Sequence, residues 1–501
     1  MKKTVTAIVN GTPVYAFEGQ TLAEIANIEK PCGGHGRCGK CKVIAKGGVS
    51  AMSAAEREKL TAEEIALGYR LGCLAYAVGD CEISFVSHTD KAQIVTEGVM
   101  PKIEIKPVFS SFGVAIDIGT TTVAARLYDR LGNMLADHAV LNAQASFGAD
   151  VISRIEAALA GKDAALAASV RGVISQTVAA LANAAGVDTK NIDALVITGN
   201  TVMLSLLAME SVEPFSHAPF AAKRLFGETV SAGSLSIDIL PVDAPVYLSP
   251  CISAFVGADT VCALLATAMD ETDTVMLADI GTNGEMALVR GGNITVCSTA
   301  AGPAFEGVGI SMGMRGERGA IDRVSYSYGA PQVHVIGECE PIGICGSGLV
   351  DAVAYLLDSG TLEDSGYLDD EAVTIKPPVQ ITQKDIRMLQ LAKSAICSGL
   401  SVLLEREGVN ETDVSALYVA GGFGRYLNRM SAEKIGLIPS TLARRSVAVG
   451  NAALVGASML LLDADAWSRA KDIARCARVV DLSSDPVFAD KYLMGMTLEC
   501  V

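Results

Sequence analysis

The sequence predicts a small α+β domain followed by a larger α/β domain that is built twice over. Three observations predict this. Residues 1–90 read as short strands around a glycine- and cysteine-rich loop, and a strand ending in Asp-Ile-Gly-Thr occurs at 114–120 and again at 276–282. The chain's 501 residues, 50% apolar and only 19% charged, suffice for more than one buried core and are too apolar for disorder.

In the first domain, strands are expected at 4–9 and 13–17 across an Asn10-Gly11 hairpin turn, then a helix near 21–28. Next comes Pro31-Cys32-Gly33-Gly34-His35-Gly36-Arg37-Cys38-Gly39-Lys40-Cys41. A strand at 41–45, a helix near 53–66, Cys73 and a closing strand at 81–86 follow. Cys32, Cys38, Cys41 and Cys73 have the spacing C-x5-C-x2-C-x31-C, in which three thiolates on one glycine-rich loop wrap an iron–sulfur cluster and a distant fourth closes the site. The arrangement resembles a plant-type ferredoxin with its ferredoxin-like β-grasp fold, although the loop carries one residue more than C-x4-C-x2-C, which leaves the cluster type open at this point. A zinc site competes, but only Cys38 and Cys41 have zinc-knuckle spacing. Cys81 reads as core, and His35 as a solvated loop residue.

Charge and cysteine usage bound the function. Forty basic against 56 acidic side chains give a net charge of −16, which repels nucleic acid and anionic lipid. Met1-Lys2-Lys3 leads into strand-like alternation rather than an apolar signal segment. The longest apolar run, Val447 to Leu462, is broken by Gly450-Asn451. A cytoplasmic protein with no nucleic-acid or membrane partner is expected. Thirteen cysteines, an odd number, argue against a disulfide framework, and the eight downstream ones read as small buried hydrophobes.

Residues 91–112, with Pro101 and Pro107, read as a linker, leaving 113–501 as the duplicated domain in halves of about 113–270 and 271–501. Asp117 and Asp279 are 162 residues apart. A second ordered pair, Leu195–Asn200 and Leu417–Gly424, and a third of small-residue helices, Ser253–Asp259 and Gly450–Ala457, follow in the same sequence. Two like halves facing one another make a cleft suited to a nucleoside triphosphate. Gly119, Thr120, Thr121, Thr122, Gly281, Thr282, Asn283 and Gly302 would donate to phosphates. Asp117 and Asp279 would orient Mg2+-bound or attacking water, with Glu285 and Glu306 as further water-orienting candidates. Gly421, Gly422 and Phe423 would lie against the adenosine. No G-x-x-x-x-G-K-[ST] loop and no strand-borne G-x-G-x-x-G exists, which disfavours P-loop and dinucleotide sites. Asp259 either reaches the cleft or caps its neighbour. Arg315 and Arg318 either neutralise phosphate, dock a partner, or form a solvated basic loop. The segment 361–385 reads as an acidic surface insertion.

Residues 112–460 resemble the actin, Hsp70 and acetate-and-sugar-kinase superfamily, which implies an actin-like (ribonuclease H-like) ATPase domain. With the N-terminal cysteine loop, and with Thr299–Gly307, Gly313–Ile321 and Gly343–Asp351, nearly the whole chain resembles the reductive activators of corrinoid proteins. That resemblance implies a 2Fe–2S cluster on Cys32, Cys38, Cys41 and Cys73, with ATP and Mg2+ in the cleft. It also implies a corrinoid methyl-carrier protein as partner, an upstream low-potential electron donor, and room for a homodimer. The implied activity is ATP-dependent one-electron reduction of Co(II) to Co(I). Plant-type clusters lie near about −400 mV, and each ~59 mV of shortfall costs a tenfold factor in the one-electron equilibrium. Donation to another low-potential metalloenzyme and nucleotide-dependent redox sensing are the alternatives. Larger family members insert a middle domain after the linker. Here Phe112 leads straight into the first phosphate motif, so a missing middle domain and altered partner docking are expected.

Overall fold

The computed structural model describes residues 3–26, 28, 30, 34, 36, 39, 41–85, 98–267, 273–327 and 330–499. In the N-terminal unit, Thr4–Val9 and Thr12–Phe17 pair antiparallel across Asn10 and Gly11. Both turn residues take positive φ, 46° and 84°, as a two-residue hairpin requires. The strand Ala77–Ser84 joins parallel to Thr4–Val9, and Lys42–Val49 and Tyr69–Leu71 complete a five-stranded mixed sheet. The expected helix at 21–28 is the single turn Leu22–Ile25, held by a Thr21–Glu24 capping box. The one helix expected at 53–66 is two, Ala54–Lys59 and Ala62–Ala66. Leu60 leaves the helical conformation and Thr61 starts a second capping box with Glu64.

Phe112–Ile118, Thr122–Asp129 and Met134–Leu141 form an antiparallel meander. Ile192–Gly199 lies parallel beside its first strand, and Pro245–Leu248 lies parallel beside that. Thr274–Ile280, Gly284–Arg290 and Asn293–Thr299, then Ala416–Ala420 and Ser446–Gly450, take the same order in a second sheet. The sheets differ at their outer edges, where Glu228–Ser231 pairs antiparallel in the first and Arg478–Val479 pairs parallel in the second. Helix Asp163–Ala185 covers the first sheet, burying Val170, Ile174, Val178 and Leu181 as its 3.6-residue period dictates, and Gln383–Glu407 covers the second. The stretch Val151–Ala185 and the helix Gln383–Glu407 are long and apolar enough to cross a membrane, by length and composition only. Here both bury apolar side chains within the protein.

Ala258–Ala266 and Ala452–Leu462 pack on each other between the sheets. A Cβ on Gly456 would stand 2.0 Å from the Cys262 carbonyl oxygen, so only glycine permits this approach. The apolar run from Val447 is therefore a strand end and a wholly buried helix.

Two expectations are corrected. Segment 361–385 is not a loose acidic insertion: Ala372–Lys376 and Val379–Thr382 form a hairpin with Val379 and Ile381 fully buried. Its Asp385 is buried because it accepts hydrogen bonds from the Ser311 N–H, 2.7 Å, and the Thr382 hydroxyl, 2.8 Å. Among the downstream cysteines, Cys251, Cys262, Cys297 and Cys345 are free and buried, but Cys476 is exposed and Cys397 is disulfide-bonded.

Candidate functional site

Cys32, Cys38 and His35 lie outside the described residues. Cys41 and Cys73 are both buried and adjacent: the Cys41 hydrogen bond lowers the Cys73 thiol to about 7, burial opposing it and the Gly36 backbone N–H assisting. Gly34, Gly36 and Gly39 take φ of +88°, +69° and +67°. At Gly36 a Cβ would also meet Leu74 Cδ1 at 2.6 Å. Two adjacent buried thiols, with a backbone N–H aimed at the Cys73 sulfur, are donor chemistry that fits a thiolate-bound metal cluster.

The strand before Cys73 is anchored by a buried ion pair. Arg70 Nε and Nη2 donate to Glu56 Oε1 and Oε2 at 2.9 and 3.0 Å, and Arg70 Nη1 donates to the Ser50 carbonyl at 2.8 Å. Burial raises the Glu56 carboxyl, but Arg70 and Ser53 outweigh it and hold the group below 4.5. Its contribution to stability is thus present above pH 4.5 and lost as pH falls through the lowered value. Glu56→Ala strands the buried guanidinium and is expected to destabilise the N-terminal unit by about 3–5 kcal/mol. Thermal denaturation at pH 7 checks this, and the difference from wild type should shrink in acid.

In the larger domain, Asp117 and Asp279 occupy equivalent positions, each next to last in the first strand of its sheet. Opposite Asp117 on the neighbouring strand is Ala124, whereas opposite Asp279 is Glu285. Burial, followed by the charge of Asp259, pushes Asp117 and Asp279 up to about 7. Burial also lifts Asp259 to about 6 and, with Asp259 and Asp279, raises Glu285 well above the ordinary range. The expected helix at 253–259 begins only at Ala258, which puts Asp259 in its first turn and brings it to the other carboxylates. Among the described residues no three acidic, cysteine or histidine side chains converge to hold a metal ion. A divalent cation here would take most of its shell from water and phosphate, as Mg2+ commonly does.

The two threonine turns meet through one carboxylate. Thr121 Oγ1 donates to Glu306 Oε2 at 2.9 Å, and Thr282 Oγ1 donates to Glu306 Oε1 at 2.6 Å. The first turn is tied back by Asn142 Nδ2 on the Gly119 carbonyl, 2.9 Å, and by buried Arg154 on the Thr120 carbonyl. In the second, the Gly281 N–H donates to the Asn283 carbonyl and the Gly302 N–H to the Thr282 carbonyl, 3.0 and 2.9 Å. Thr122 closes its turn by accepting from the Gly119 N–H, 2.8 Å. Gly421 takes φ +87°, and a Cβ there would lie 2.7 Å from Asp279 Oδ1, so its first role is to admit that carboxylate. Gly422 is exposed, and Phe423 stacks on Phe305 with centroids 4.6 Å apart. Arg318 is exposed against Gly337.

Two asparagines escaped the sequence reading. Asn200 Nδ2 donates to Thr120 Oγ1 at 3.2 Å, and Asn451 Nδ2 donates to Asp117 Oδ2 at 3.0 Å, while each caps the helix it precedes. Both follow a strand-ending glycine, Gly199 and Gly450, and that Gly-Asn pairing was the available signal. Two surface cavities of about 430 and 340 Å3 lie elsewhere and contain none of these residues.

A family model described as the C-terminal domain of RACo, the ASKHA domain, matches residues 273–500, and one described as the RACo middle region matches 112–272. The latter overturns the expectation of a missing middle domain, because the family's middle region is the first lobe itself. The chain is 33% identical over 451 residues to the corrinoid activation enzyme RamQ of Eubacterium limosum, covering 83% of this chain and 75% of that protein. It is 27% identical over 432 residues to the [Co(II) methylated amine-specific corrinoid protein] reductase of Methanosarcina barkeri, covering 77% and 78%. A solved structure, titled a reductive activator for corrinoid, iron–sulfur protein, superposes with a TM-score of 0.72 at 28% identity over 98% of both chains. Residues 273–500 are accordingly a domain of the ASKHA type, and the chain belongs to the family of reductive activators of corrinoid proteins.

Proposed function

We propose that the protein reductively activates a corrinoid protein, handing one electron to cobalt so that Co(II) becomes Co(I), and that ATP in the interlobe cleft drives the transfer. In this reading residues 1–90 are a ferredoxin-type domain, 91–112 a linker, and 113–270 and 271–501 the duplicated halves of an ATPase. A 2Fe–2S cluster held by Cys32, Cys38, Cys41 and Cys73 supplies a one-electron store of low potential.

The observation that carries the nucleotide half is the bridge of Thr121 and Thr282 through Glu306. One hydroxyl from each lobe already donates to a single anionic acceptor, which is the service a phosphate chain needs. Phosphate oxygens replace the Glu306 carboxylate and draw both hydroxyls, with the backbone of Gly119, Thr120, Thr122, Gly281, Asn283 and Gly302 around them. Asp117 and Asp279 would hold Mg2+ through water, and a cation there would offset the burial and the charge of Asp259 that lift their proton affinity. Glu285, paired across the sheet with Asp279, orients the water beside it. Gly421, Gly422 and Phe423 bound the adenosine side. Closure of the lobes favours one docked arrangement of the corrinoid partner over another, which is how binding energy offsets an unfavourable electron transfer.

The test is anaerobic. Reduced protein is mixed with candidate Co(II) corrinoid proteins, with and without ATP, and the Co(I) absorption band is followed. Formation of Co(I) that depends on ATP is expected. Co(I) forming equally without ATP would contradict the ATP half of the proposal, and failure to form Co(I) with every candidate corrinoid protein would contradict the reductase half and favour a nucleotide-binding redox sensor.

A further inference from the structure

The described part of the linker is fastened along one helix. Gly98 forms an antiparallel bridge with Gly450. A Cβ on Gly98 would stand 2.5 Å from Val455 Cγ2, 3.1 Å from the Asn451 carbonyl oxygen and 3.3 Å from that of Val449. Met100, Ile103 and Val108 then pack into the core between the lobes. At the far end the Lys106 N–H donates to the Leu462 carbonyl and the Val108 N–H to that of Leu461, at 2.8 and 3.0 Å. The Ala464 N–H donates back to the Lys106 carbonyl at 3.0 Å, and Lys106 Nζ pairs with Asp465 at 2.9 Å. Residues 98–108 are thus a strap fixed to both ends of Ala452–Leu462.

That helix reads the cleft. Its cap, Asn451, donates to Asp117 at 3.0 Å while its own Oδ1 accepts from the Leu454 N–H at 2.7 Å. A shift of the Asp117 carboxylate reaches Asn451 through one hydrogen bond, and the Asn451 carbonyl is part of the surface on which Gly98 sits. We propose that the 98–108 strap transmits cleft occupancy to the N-terminal unit, with Asn451 the positioning residue at its cleft end. The proposal rests on the nucleotide reading of the cleft, and the path on the cleft side runs from Asp117 through Asn451 to Gly98, a packed element on which coupling between two distant sites can act.

Gly98 does not take positive φ, so Gly98→Ala acts through bulk alone, pushing the strap off Val455. Nucleotide affinity and ATP hydrolysis should persist, while ATP stimulation of Co(II) reduction falls about tenfold, within the usual range of coupling energies. Val455→Ala removes the clashing methyl, so the double variant should regain stimulation. In wild type, amide exchange of residues 98–108 should change when ATP is added. Full stimulation in Gly98→Ala, no recovery in the double variant, or exchange indifferent to ATP would each overturn the strap. Wild-type reduction that ignores ATP would overturn the nucleotide reading itself, and the two failures are therefore distinguishable.

Discussion

Asp279→Asn is expected to lower ATP hydrolysis by about 10²–10³-fold, the usual loss when a preorganised charge at a reacting phosphate is removed. The carboxylate sits where Gly421 makes room for it, opposite Glu285 and within the field of Asp259. Asparagine keeps the volume but lacks the charge that, in the proposed reading, would hold Mg2+ through water. Folding should not suffer, because removing one of four mutually repelling carboxyls relieves strain that burial imposes, and the variant's melting temperature should match or exceed wild type. Hydrolysis within about tenfold of wild type would remove Asp279 from the reaction. Asp117→Asn should behave alike with one difference: its partner Asn451 would face an amide, so the helix start at Ala452 is disturbed as well.

Cys73→Ser is expected to abolish corrinoid reduction altogether while leaving ATP affinity and hydrolysis at wild-type levels. Cys73 is buried beside Cys41, and a serine hydroxyl cannot supply the thiolate that a cluster needs. Serine is nearly isosteric, and the Glu56–Arg70 pair still fixes the preceding strand, so the unit should fold. Bound iron and the visible absorption of the protein report the loss, and equilibrium nucleotide binding reports what is spared. Loss of nucleotide binding together with the iron would contradict a division of labour between the two units.

Much of this site was legible in the chain because its chemistry is local. A strand that ends in Asp-Ile-Gly-Thr declares both the carboxylate and the turn, and its recurrence 162 residues later declares a partner. The first hairpin of the N-terminal unit followed from alternation and from Asn10-Gly11, whereas the short strand Tyr69–Leu71 and the pairings of the later strands did not. What stayed hidden depends on contacts between distant segments. Glu306 stood out only weakly until Thr121 and Thr282 were seen to share it, across 185 and 24 residues. Asn451 reaches Asp117 over 334 residues, and nothing local distinguishes it from an ordinary helix cap. The acidic composition of 361–385 concealed a hairpin, because alternate burial of Val379 and Ile381 is too short a pattern to outweigh its charge. Gly421 read as a flat surface for a ligand, whereas its backbone first serves a neighbouring side chain.

That a single polypeptide must carry both an intact cysteine cluster and an intact cleft is tested most directly by mixing the two variants. Asp279→Asn protein, competent in its cysteines, and Cys73→Ser protein, competent in its cleft, are combined with a Co(II) corrinoid protein, ATP and reductant, and Co(I) is measured. Co(I) formation should stay at the level of the variants assayed separately. Recovery toward the wild-type rate would contradict it, since electron delivery and ATP chemistry would then work from separate chains.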